Sequence, residues 1–101
     1  FSFGSRVGLD LAIRLRDEIH GYIAVAWPTS FYAWPESNEW PTKTGFIAGT
    51  EDEYVDLTKM NHAEQLGGKI TIVDGASHFF PKTLDRVRDL TADYITEFLN
   101  D

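Results

Sequence analysis

Apolar and polar positions alternate along the chain between two rhythms. Over residues 5–19, Val7, Leu11 and Leu15 recur four apart beside the small Gly8 and Ala12. That spacing predicts a helix with a buried stripe, its small residues permitting close approach to a sheet. Gly21 stands where a C-terminal cap would stop the helix. Residues 22–27 (YIAVAW) are continuously apolar between Gly21 and Pro28, too short for a helix, and predict a strand buried on both faces. Residues 28–42 hold three prolines and many aromatics without a period, and predict a loop. A second strand is expected over 43–49, a helix over 54–66 closed by Gly67-Gly68, and a third strand over 69–74 (KITIVD). The clearest helix is 82–99, with Leu84, Val87, Leu90, Tyr94, Ile95 and Phe98 along one stripe.

Strands alternating with helices imply a parallel sheet with helices on its faces, an α/β three-layer sandwich. Three doubly buried strands would leave apolar edges open. The 101 residues therefore read as one partial α/β domain, the second half of a larger unit with a mostly parallel sheet.

Composition narrows the partners. An apolar share of 43% is that of an ordinary globular protein, whereas a net charge of −7 argues against nucleic acid and anionic membrane, both of which need basic patches. No apolar run approaches the roughly 18–20 residues of a membrane span. The absence of cysteine removes disulfides and thiolate metal sites and fits a reducing compartment, so a cytoplasmic setting is expected. The three histidines show no metal-ligand spacing and no phosphate-cradling loop is present, so neither a metal nor another cofactor is expected.

In a parallel α/β sheet, reactive groups gather in loops beyond the carboxyl ends of the strands. Here Ser2 precedes the first helix, an acidic cluster follows Gly49, and His78 follows the strand ending at Asp74. Serine, acid and histidine in that order form one of the known arrangements of a nucleophile, its orienting carboxylate and its base. Serine needs a base to take its proton, and the base needs a carboxylate to hold its tautomer.

The motifs resemble those of the α/β-hydrolases. Phe1-Ser2-Phe3-Gly4 matches the last four positions of the G-x-S-x-G nucleophile elbow. Gly49-Thr50-Glu51-Asp52-Glu53-Tyr54-Val55 is similar to the family's G-x-x-D-x-x-V acid loop, and Gly75-Ala76-Ser77-His78-Phe79-Phe80 to its histidine loop. The likeness spans essentially the whole chain and is to small, nearly capless dienelactone-hydrolase-like members. It implies a serine hydrolase acting on an ester, thioester or similar small acyl substrate through an acyl-enzyme. Ser2 would be the nucleophile, His78 the base and Asp52 the carboxylate, with the Phe3 N–H as an oxyanion donor. Glu51, Glu53, Glu36 and Glu39 stand as alternative acids. The family's first strands and second oxyanion donor have no counterpart in the sequence. Loss of one such donor costs roughly 3–4 kcal/mol, so the isolated chain is expected to be nearly inert. A non-catalytic relative that keeps the fold for binding or scaffolding is the alternative.

Trp34, Trp40, Phe31 and Tyr32 fall in the 28–42 loop, where they would either rim a substrate pocket or cover the core; Trp34 and Phe79 are the substrate-binding candidates. Phe79 and Phe80 are expected to pack beneath the histidine loop. His20 and His62 read as surface residues, Asp74-Gly75 as a turn, and Ser5 and Ser77 as local hydrogen-bonding residues.

Overall fold

The computed structural model describes residues 1–35 and 39–100. In chain order the elements are α1 (Phe3–Arg14), β1 (Tyr22–Val25), β2 (Thr44–Gly49), α2 (Leu57–His62), a 3-10 turn (Ala63–Leu66), β3 (Gly68–Val73) and α3 (Leu84–Leu99). The strands form one parallel sheet in the order β1-β2-β3, with Tyr22 opposite Thr44 and Thr44 opposite Gly68. Because side chains alternate along a strand, β2 feeds two cores. Phe46 and Ala48 join Leu9 of α1 and Met60 of α2 on one face. Ile47 joins Tyr94 and Phe98 of α3 on the other. The three layers are thus those expected from the alternation of elements.

Only β2 is buried along its whole length. On β3, Ile72 remains 38% exposed, so the expectation of three doubly buried strands fails for an edge strand that no helix fully covers.

The buried side of α1 differs from the predicted stripe. Ser5, Leu9 and Ala12 are inside, whereas Val7 and Leu11 are about half exposed at 49% and 53%. Apolar residues occupy more than one side of this helix, so periodicity alone leaves its rotation open. Hydrogen bonds decide it. Ser5 Oγ–H donates to the Val25 carbonyl at 3.3 Å, and the Tyr22 hydroxyl donates to the Ser5 carbonyl. Burial pushes the Tyr22 phenol well above its usual pKa, an effect that its bond to Ser5 opposes.

Gly21 does not cap α1, which ends at Arg14 with Leu15 as its C-cap. Its role is close packing: a Cβ there would lie 2.8 Å from Phe98 Cδ2 and 2.9 Å from the Lys43 carbonyl oxygen. The helix predicted from residue 54 begins at Leu57, because the Asp56 carboxylate accepts from the N–H groups of Thr58 at 3.0 Å and Lys59 at 3.2 Å. Gly67 ends the following 3-10 turn at φ 103°, a left-handed position that favours glycine. On α3, Val87, Leu90, Tyr94 and Phe98 pack inward; Leu84 in the first turn is 62% exposed and Ile95, one residue off the stripe, is 46% exposed. No helix among the described residues is long and apolar enough to cross a membrane.

Candidate active site

Three loop ends converge at the carboxyl edge of the sheet. Ser2 sits on the turn into α1, with its N–H donating to the Val25 carbonyl at 2.9 Å and its carbonyl accepting from the Ser5 N–H at 2.9 Å. This ties the turn to the end of β1. Ser2 has φ 53° and ψ −129°, a combination that an L-residue adopts only under strain. Phe3 opens α1, so its N–H is among the unpaired donors at the helix N-terminus, where the dipole favours negative charge.

Strain at the serine has a measurable consequence. Ser2→Gly and Ser2→Ala lose the same hydroxyl, yet only glycine relaxes the positive φ. Ser2→Gly should therefore be more stable than Ser2→Ala by about 1–2 kcal/mol, read from urea midpoints; equal midpoints would contradict a strained turn.

Asp52 follows β2 and is 4% exposed. Its Oδ1 accepts from the Tyr54 N–H at 2.8 Å, and its Oδ2 accepts from His78 Nδ1–H at 2.8 Å. A carboxylate only accepts, so the ring proton belongs on Nδ1 and leaves Nε2 as an acceptor. The Ser2 hydroxyl lies 2.7 Å from that Nε2 and donates to it. His78 itself is 8% exposed. Serine, histidine and aspartate thus form one continuous hydrogen-bonded line. Among the described residues, the alternative acids stand apart. Glu51 and Glu53 are exposed, Glu39 pairs with Arg16 at 3.3 Å, and Glu36 lies outside the described residues.

What holds the acid and histidine loops together was not visible in the sequence. The Thr50 N–H donates to the Val73 carbonyl at 3.2 Å, and the Thr50 hydroxyl accepts from the Gly75 N–H at 2.8 Å and donates to Asp74 Oδ1 at 3.3 Å. The Glu51 N–H donates to the Ala76 carbonyl at 2.9 Å. Gly49 makes this approach possible, since a Cβ on it would fall 2.2 Å from the Ala76 carbonyl oxygen. A glycine ending a strand beside an acid loop was the one available signal.

The aromatic residues divide. Phe80 is buried as expected, with φ 52°. Phe79 does not pack beneath the loop: it is 70% exposed and stands edge-on to the His78 ring at 5.0 Å. Trp34 stacks on Trp27 at 4.2 Å and donates its indole N–H to the Lys59 carbonyl at 2.6 Å, so it covers the core, as does Trp40. Phe31 and Tyr32 instead line a cleft of about 440 Å³ over Ser2, together with Phe3, Pro28 and Tyr54. Trp34 is absent from that lining; it borders an adjoining groove of about 710 Å³ against α2, which shares Phe31 and Tyr32 with the cleft.

A parallel sheet with helices on both faces, and serine, acid and histidine on successive loops at one edge, defines the α/β-hydrolase architecture. By fold the chain belongs to the α/β-hydrolase superfamily, on the strength of two solved structures. One is a candidate α/β hydrolase of unknown function from Agrobacterium tumefaciens, 26% identical with a TM-score of 0.88, which matches 99% of this chain over 49% of its own. The other is an α/β serine hydrolase without a lid from Xanthomonas campestris, 25% identical with a TM-score of 0.83, which matches 97% of this chain over 45% of its own. The chain spans about half the length of these neighbours. No family sequence model and no curated protein matches it in sequence.

Proposed function

We propose that the full-length protein is a serine hydrolase acting on an ester, thioester or similar carbonyl through an acyl-enzyme. The observation that carries the reading is the unbroken line from Ser2 Oγ through His78 to Asp52, with bonds of 2.7 and 2.8 Å drawn from three separate loops. A structural serine would not need a positive φ to reach a buried histidine.

In this reading His78 Nε2 takes the proton as Ser2 Oγ attacks the carbonyl carbon. Asp52 holds the proton on Nδ1 and stabilises the imidazolium. The Phe3 N–H donates to the oxyanion, aided by the α1 dipole. When the tetrahedral intermediate collapses, His78 protonates the leaving oxygen or sulfur and the acyl group stays on Ser2. Water then gives a proton to His78 and attacks the acyl carbon; His78 returns that proton to Ser2 as the acid departs. In this reading Phe3 supplies one oxyanion donor, and a second donor would add roughly 3–4 kcal/mol of transition-state stabilisation.

A fluorophosphonate reagent added to the full-length protein is expected to phosphonylate Ser2, with peptide mapping as the readout and Ser2→Ala unlabelled. Labelling that survives Ser2→Ala would remove Ser2 as nucleophile. No labelling at all would favour a non-catalytic binding or scaffold relative.

A further inference from the structure

We propose that the cleft over Ser2 is an aromatic slot that takes the acyl group, and that the preferred acyl group is an uncharged one ending in an aromatic ring, such as phenylacetyl. This rests on the serine-hydrolase reading and adds the substrate class to it.

Four half-exposed rings border the cleft in two facing pairs. Phe3 stands against Tyr32 at 5.8 Å between centroids, and Phe31 against Tyr54 at 5.5 Å, tilted by 49° and 43°. Pro28 completes the lining with Ser2. Rings at such separations and tilts offer both faces and edges, the two surfaces that a further ring engages by stacking and by edge-to-face contact. All four are more than a third exposed. The Arg6 guanidinium lies 5.0 Å from the Tyr32 ring centroid and holds that ring by a cation–π contact. Among the described residues, no carboxylate, ammonium or guanidinium is in the lining, so the walls themselves match an uncharged group better than a charged one. A volume of about 440 Å³ lies in the range of small-molecule sites and exceeds the needs of an acetyl group.

The assignment to the acyl side follows from His78. The leaving atom must reach His78 Nε2 to be protonated, and of the rings around His78 only Tyr54 lines the slot, whereas Phe1, Phe79 and His78 itself lie outside the lining. Ser2, to which the acyl group is bonded in the intermediate, does line it. Tyr54 joins the two regions. Its N–H holds Asp52 and its ring lies 4.4 Å from His78, so one wall of the slot is built on the residue that positions the acid.

The test compares the S-ethyl thioesters of phenylacetic and octanoic acid on the full-length protein; the leaving group carries no ring, and the acyl groups have equal carbon number. The expected result is a kcat/KM about tenfold higher for the phenylacetyl thioester, a ratio that falls at least severalfold in Phe31→Ala and Tyr32→Leu. An octanoyl preference, or a ratio that neither substitution moves, overturns the slot. Titration of Ser2→Ala with the same thioesters, followed by intrinsic fluorescence, separates the two readings. Tighter phenylacetyl binding there, with no fluorophosphonate labelling of the unsubstituted protein, leaves the slot standing and removes the hydrolase. Labelling without any phenylacetyl preference does the reverse.

Discussion

Replacing His78 with alanine should lower kcat of the full-length protein by about 10⁵- to 10⁶-fold, the scale on which a triad histidine acts. The size follows from geometry. Ser2 Oγ has its acceptor 2.7 Å away in His78 Nε2, and without that acceptor the hydroxyl keeps its proton through attack. Asp52→Asn should cost about 10⁴-fold, because an amide cannot hold the imidazole in the same tautomer. The two changes should not multiply. His78→Ala already removes what Asp52 acts through, so the double variant should match His78→Ala within a few fold. Steady-state kinetics with a small thioester reads all three, and circular dichroism confirms folding. A fully additive double variant, or a His78→Ala protein that keeps more than a hundredth of kcat, would show that the hydrogen-bonded line is not a catalytic unit.

Gly49→Ala is expected to have the next largest effect, at a residue that touches no substrate. The added methyl would lie 2.2 Å from the Ala76 carbonyl oxygen, 2.7 Å from its carbonyl carbon and 2.9 Å from its Cβ. These atoms are backbone or fixed to it, so no side-chain rotation relieves the clash. The histidine loop must withdraw by about 1 Å, which breaks the Glu51–Ala76 bond and carries His78 away from Ser2. A displacement of that size costs about 10²-fold in rate, and overpacking costs about 1–3 kcal/mol in stability. A urea titration gives the folded fraction, and the loss of kcat should exceed what that fraction explains. Unchanged stability together with unchanged kcat would show that the two loops do not depend on Gly49 for their approach.

Much of this architecture was legible in the chain. Residues 43–49 and 69–74 read as strands because β-branched and apolar runs ended at glycine or aspartate, and both ran within one residue of the observed bounds. The serine, acid and histidine motifs sat at the ends of predicted strands, in an order that has chemical meaning. The rotation of α1 was not legible. Val7 and Leu11 fit a helical stripe as well as Leu9 and Ala12 do, and the choice is made by Ser5, whose hydroxyl finds Val25 and whose carbonyl finds Tyr22. Hydrophobicity scales score Ser5 as polar, yet it is 3% exposed because its partners replace water.

The aromatic loop shows the same division. Its composition announced either a rim or a cover, and the residues turned out to serve both: Trp34 and Trp40 inside against Phe46, Phe31 and Tyr32 outside over Ser2. Nothing local separates a tryptophan that covers a core from a tyrosine two residues earlier that lines a cleft.

By itself the sequence determined the element order, the parallel sheet and the residues able to form a serine–histidine–aspartate line, because these depend on local periodicity and on motif spacing. Only the tertiary structure decided which acid meets His78, which face of α1 is buried and which aromatics surround Ser2. Those outcomes depend on contacts between loops up to 76 residues apart in the chain, where a difference of an ångström separates a hydrogen bond from none.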